Sequence, residues 1–199
     1  MAERGRPRLG VKPKVGGEGS PEVFVADEQE DVAVDIARWQ QLALDVVVAE
    51  GVRGLAELAV LFISEAEMRE LNEDYMGKTG PTDVLAFPID AADAELVLHG
   101  QPPSRGPDRA PSDPADMPLL LGDVVICPAV AVAQAPTHAG TVDDELALLV
   151  VHGVLHVLGH DHDDDVSRVA MQSRERELLE AYYWHAPAPA QFRQEHADQ

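Results

Sequence analysis

Of the 199 residues, one is cysteine, Cys127. An intramolecular disulfide is therefore excluded, and a cytoplasmic location is expected. Cys127 sits in the strand-like run LLLGDVVICP and reads as a small buried hydrophobe. No apolar run approaches the roughly 18 residues that a membrane span needs. The N-terminal MAERGRPRLG has charge but no apolar stretch behind it, which argues against a secretory signal. Positive charge is also scarce: 15 Lys and Arg face 36 Asp and Glu, for a net charge of -21. Such a surface should repel nucleic acid over most of its area and counts against broad coating of RNA or DNA. A local cleft, or contact through a metal ion, stays open. Residues 1–16 run against the trend, with Arg4, Arg6, Arg8, Lys12 and Lys14 against Glu3. They read either as a basic arm for RNA or as a leader without a role.

Hydrophobic residues make up 45%, enough for a packed core. Residues 1–20 are rich in Gly, Pro and charge and read as a disordered extension. A domain is expected over 21–185, with a surface loop insertion at 90–118, where Pro, Asp, Ala, Ser and Gly dominate. Residues 186–199 read as a flexible tail. Within the domain, strands are expected at 22–27, 58–63, 83–88 and 119–126. Val32, Ile36, Trp39, Ala43 and Val46 recur at helical spacing over about 31–49. Ser64 and Glu67 form a capping-box signal for a helix with Met68, Leu71 and Tyr75 inward. Pro128 opens a short alanine-rich helix that Pro136 should end. Thr141 caps a strong helix reaching Val157 or Leu158, with Gly159 at its C-terminal stop. A last helix is expected over about 164–183, with Val166, Ala170, Met171, Leu178 and Tyr182 inward. The order predicts an α+β fold: a small mixed sheet of about four strands with helices packed on it and a zincin-like metal helix.

The chemistry concentrates in HGVLHVLGHDH, residues 152–162. His152 and His156 are four apart on a helix and so share one face. That spacing lets two imidazoles bind one zinc. After Gly159 the chain can fold back and bring a third imidazole, from His160 or His162. The choice of His162 gives HxxxHxxGxxH, the ligand spacing of metzincins. His152, His156 and His162 are thus the expected metal ligands and catalytic centre, with one Zn2+ as cofactor. Three protein ligands leave an open position, the mark of a catalytic site. Two imidazoles inside the apolar run ELALLVVHGVLHVLG would otherwise be costly to bury. In HExxH peptidases a glutamate follows the first histidine as base; here Gly153 stands there. Glu145, on the same face as His152, can orient a ligand or water, or simply be a solvated helix-start charge. Asp161 can hold an imidazole as an acceptor, and Asp163, Asp164 and Asp165 read as the acidic first turn of the last helix.

HGVLHVLGHDH resembles the HGxLHLxGYDH signature of the YbeY endoribonucleases. VFVADEQ, LNEDYMGKTGPTDVLAFP and LLLGDVVI resemble further family segments in the same order, and Met171 falls where the family has a methionine. The resemblance spans about 22–184. It implies a single-strand-specific, zinc-dependent endoribonuclease that acts in 3′-end maturation of small-subunit ribosomal RNA and in ribosome quality control. The implied partners are single-stranded RNA and the ribosome or its proteins, without DNA or membrane. The alternatives are a zinc-containing ribosome-assembly factor with little nuclease activity, or a hydrolase of another substrate class. Three positions depart from the family. Met76 replaces an arginine taken to hold phosphate, leaving Lys78 as the nearest cation. Ala86 replaces a serine, and His160 replaces a tyrosine. Thr82 and Asp83 match the family's PTDV motif, as cleft residues or as a plain turn.

Overall fold

The computed structural model describes residues 8–9, 19–89, 118–161 and 164–194. Most of the 1–20 extension and almost all of the 90–118 loop lie outside these residues. The strands are β1 (Arg8–Leu9), β2 (Glu22–Asp27), β3 (Ala56–Phe62), β4 (Val84–Pro88) and β5 (Leu119–Ile126). The helices are α1 (Ile36–Ala49), α2 (Glu65–Leu71), α3 (Pro128–Gln134), α4 (Val142–Val157) and α5 (Asp165–Tyr182). No described helix is long and apolar enough to cross a membrane.

The strands form one mixed sheet in the order β1-β2-β3-β5-β4. β2, β3 and β5 are parallel, while β1 and β4 run antiparallel to their neighbours. The architecture is the expected α+β sheet with helices, with the two-residue β1 added at one edge. Alternation along the strands divides the core. Val124 and Ile126 face the larger cluster with α1, α4 and α5, whereas Leu85 and Val125 face a smaller one with Ile63, Met68 and Cys127.

The helix α4 is buried nearly all round, including Leu148, Leu149 and Leu155. A helix apolar on every face belongs inside a domain. Removing each such leucine from water contributes roughly 1.5–3 kcal/mol. Thr141 caps α4 by accepting from the Asp144 N–H at 3.1 Å. Gly159, at φ +88°, ends it in the left-handed conformation that a side chain resists.

Several expected faces differ. α1 starts at Ile36 rather than 31, because Asp35 caps it and Gln29 folds back onto Asp27 and Val32 in the segment before. Tyr75 is 66% exposed, not inward. α2 gives way at Asn72–Met76 to a π-turn, whose wider winding carries Tyr75 off the α2 face and against the edge of Phe87. On α5, Val166, Ala170 and Tyr182 are exposed, and the buried residues are Met171, Glu175, Leu178 and Leu179. The true stripe contains a glutamate that a hydropathy pattern does not count. Of the tail, residues 186–194 are described and 195–199 lie outside the described residues. Phe192 and Gln194 are buried, and Phe192 packs edge-on against Trp184 with ring centroids 4.8 Å apart.

Candidate active site

A cleft of about 1430 Å³ opens beside α4. One wall is the π-turn and the segment running into β4, with Asn72, Met76, Lys78, Thr82, Asp83 and Ala86. His152, Gly153 and His156 of α4 form the floor, and Val130, Gln134 and His138 form the opposite wall. Gly159, His160 and Asp161 close the end.

The 152/156 spacing on α4 brings the two rings to a centroid separation of 4.5 Å at 77°. His152 is 9% exposed, and its Nδ1 meets Glu175 Oε1 of α5 at 2.7 Å. A carboxylate facing Nδ1 selects the tautomer that donates there, so Nε2 carries the lone pair. That lone pair is what a metal ligand requires. Glu175 is itself buried, and its second oxygen accepts from Gln194 Nε2 at 3.2 Å.

A second imidazole–carboxylate pair lies on the opposite wall. His138 Nδ1 is 2.8 and 2.9 Å from the two oxygens of Glu145, and the Ala139 N–H donates to Oε2 at 3.1 Å. Glu145 is fully buried, so it is not a solvated helix-start charge, and the ring it holds is His138 rather than His152. Its position is explained by the 3-10 turn Ala135–Thr137, which delivers His138 onto the first turn of α4.

His160 takes another direction. Its Nε2 is 3.0 Å from Glu50 Oε2 at the end of α1, while Arg174 Nε donates to Glu50 Oε1 at 2.7 Å. The His160 hydrogen bond, with help from Arg174 and against the effect of burial, holds the Glu50 carboxyl below its usual range. His162 and Asp163 lie outside the described residues, and among those described no three His, Cys, Asp or Glu side chains gather as a metal cluster. Asp161 is exposed at the cleft end. Asp164 caps α5 through the Val166 and Ser167 N–H groups, both at 2.8 Å.

On the first wall, Asp83 Oδ1 accepts from Thr82 Oγ1 at 3.1 Å and from the Val84 N–H at 2.8 Å. The pair lines the cleft, and Asp83 holds its own chain neighbours just before β4. Asn72 Nδ2 donates to Gly80 O at 2.8 Å and so pins the Lys78 turn. Gly153 faces the sheet, where a Cβ would run into Val124 Cγ1. Sequence reasoning overlooked Glu175, His138 and Gln194. For Glu175 a signal existed: a charge at 175 between the apolar positions 171 and 178. For the other two no local pattern pointed to a site.

Residues 24–183 match the family described as Endoribonuclease YbeY. The chain is 42% identical over 166 residues to a protein of Acidothermus cellulolyticus named Endoribonuclease YbeY, covering 80% of this chain and 90% of that one. A protein of the same name from Salinispora tropica is 43% identical over 152 residues, covering 75% and 87%. The solution structure of TM1509 from Thermotoga maritima aligns with a TM-score of 0.52 at 23% identity, over 83% of this chain and 90% of that one, and so shares the fold. Motif order, fold and overall identity agree, and the chain belongs to the YbeY endoribonuclease family.

Proposed function

We propose that this protein is a zinc-dependent endoribonuclease acting on single-stranded RNA, with zinc held by His152, His156 and His162. The observation that carries the reading is the His152–Glu175 contact of 2.7 Å beside His156. An imidazole oriented by a buried carboxylate is the usual arrangement behind a metal-binding histidine. The donor set fits a divalent cation in a second way. Glu145 and Glu175 are buried against imidazoles in one cleft, and neither forms an ion pair with a described Lys or Arg. Buried negative charge of this kind is stabilised by a cation. His160 engages Glu50, which supports His162 as the third ligand.

Zinc in such a site polarises a phosphate oxygen and lowers the pKa of water. The chain's own residues do the rest. Glu175 fixes the His152 tautomer. Thr82 and Asp83 shape the wall along which a phosphodiester would lie. The absence of room at Gly153 argues against the glutamate base of HExxH peptidases. The family resemblance supports small-subunit ribosomal RNA as substrate, the ribosome as partner and a role in its quality control, and the single cysteine fits a cytoplasmic location.

The test is cleavage of single-stranded RNA by purified protein whose metal content is measured. Cleavage is expected with about one zinc per chain, and His152→Ala or a chelator should abolish it. Zinc content without cleavage at any protein concentration would favour an assembly factor. Cleavage that survives both treatments would overturn the proposal.

A further inference from the structure

The C-terminal segment 188–194 lies beyond the residues that match the family, yet it bonds to His138, which lines the cleft, and to Glu175, which holds His152. It is fastened at several points. The Ala188 N–H donates to Glu180 Oε1 at 2.9 Å. Phe192 is buried against Trp184, with the Arg176 guanidinium 5.9 Å from its ring. The Arg193 N–H donates to the carbonyl of His138 at 3.1 Å. Gln194 then spends its whole amide on α5: Nε2 donates to Gln172 O at 2.7 Å and to Glu175 Oε2 at 3.2 Å, while Oε1 accepts from Arg176 Nη2 at 3.1 Å. One short segment therefore touches the backbone of one cleft histidine and the carboxylate that orients another.

We infer that 188–194 is a strap that positions the metal site, with Gln194 as a positioning residue that holds Glu175 on His152. The physical argument is rotational. A carboxylate bonded through one oxygen can turn about its side-chain torsions and lose its aim. The Gln194 amide fixes the second oxygen, and Gln172 and Arg176 fix that amide in turn. The Nδ1–H of His152 then has a single acceptor in a single place. This rests on the metal reading above, because the strap acts on zinc only through His152.

The experiment uses the full chain with Gln194→Met, which keeps the length of the side chain and removes its hydrogen bonds. Zinc affinity is measured by competition with a chromophoric chelator, and metal-free melting by circular dichroism. The His152 Nδ1 proton is followed by NMR in the metal-free protein. The variant should bind zinc about 10-fold more weakly, in the range set by partners of ligating histidines. Its His152 Nδ1 proton should exchange faster with water. Phe192→Ala serves as the comparison that loosens the strap by packing alone, and it should shift the same two readouts in the same direction. A Gln194→Met protein with unchanged zinc affinity would overturn the inference, whatever its melting temperature. If the wild-type protein takes up no zinc, the metal reading fails by itself. The His152 proton then decides for the strap: unchanged exchange in the variant overturns it.

Discussion

Gly153 decides two matters with one hydrogen atom. It sits between the two α4 histidines, and its Cα faces β5 so closely that a Cβ would meet Val124 Cγ1, with Val84 Cγ2 also at 3.3 Å. Val124 is fully buried on a central strand and has nowhere to turn. Changing Gly153 to Ala favours the helix by about 1 kcal/mol. Overpacking a tight core costs roughly 1–3 kcal/mol, so the clash should win and Gly153→Ala should be less stable. Urea unfolding followed by circular dichroism measures it, and a variant as stable as the wild type would show that α4 can lift off the sheet. The same closeness keeps a catalytic glutamate from this position. Here packing and chemistry are one constraint.

At the scale of elements, the loop after α4 is held by charge. Glu50 at the end of α1 binds His160 and Arg174 together, tying that loop to α1 and α5. The Glu50 carboxyl is held below its usual range, first by the His160 hydrogen bond. A lowered folded-state value means that its stabilisation is present above the unfolded-state value and is lost as pH falls through the folded one. Between about pH 6 and pH 3, the wild type should therefore lose more stability than Glu50→Gln, and the gap between them should close. Equal acid sensitivity in chemical unfolding would show that the bridge does not couple the three elements. This bridge also marks how far the sequence could be read. Strand and helix order, the Thr141 and Ser64 caps and the 152/156 face all follow from local pattern and are present in the fold. His162 lies outside the described residues, so the proposed third ligand rests on motif spacing. The partners of Glu175, Glu145 and Gln194 could not be read locally, because they come from tertiary contacts 23, 7 and 19 residues away. A pattern that counts apolar residues scores a buried glutamate as surface. Tyr75 failed for a different reason: one π-turn changed the period inside a stretch read as continuous helix.

For the whole molecule, the net charge of -21 sets the terms on which RNA can approach. Among the described cleft residues, Lys78 is the one lysine or arginine, and it shares the lining with Asp83 and Asp161. Met76 stands at the position where the family resemblance implies an arginine. The cleft without a bound cation is therefore a poor place for phosphate, since like charges repel within a Debye length of about 10 Å at 0.1 M salt. If the proposed function is right, binding itself needs the metal, not only cleavage. The metal-free protein should bind a non-cleavable single-stranded RNA at least about 10-fold more weakly than the zinc form, a difference of roughly 1.4 kcal/mol. The zinc form should also lose little affinity between about 50 and 200 mM salt, whereas a protein neutralising 6–10 phosphates loses roughly 10³–10⁵ over that range. Fluorescence anisotropy with labelled RNA measures both. A steep salt dependence that persists after chelation would assign the contact to the five cations of residues 1–16 instead, and the cleft would then act on RNA that another part of the chain had already captured.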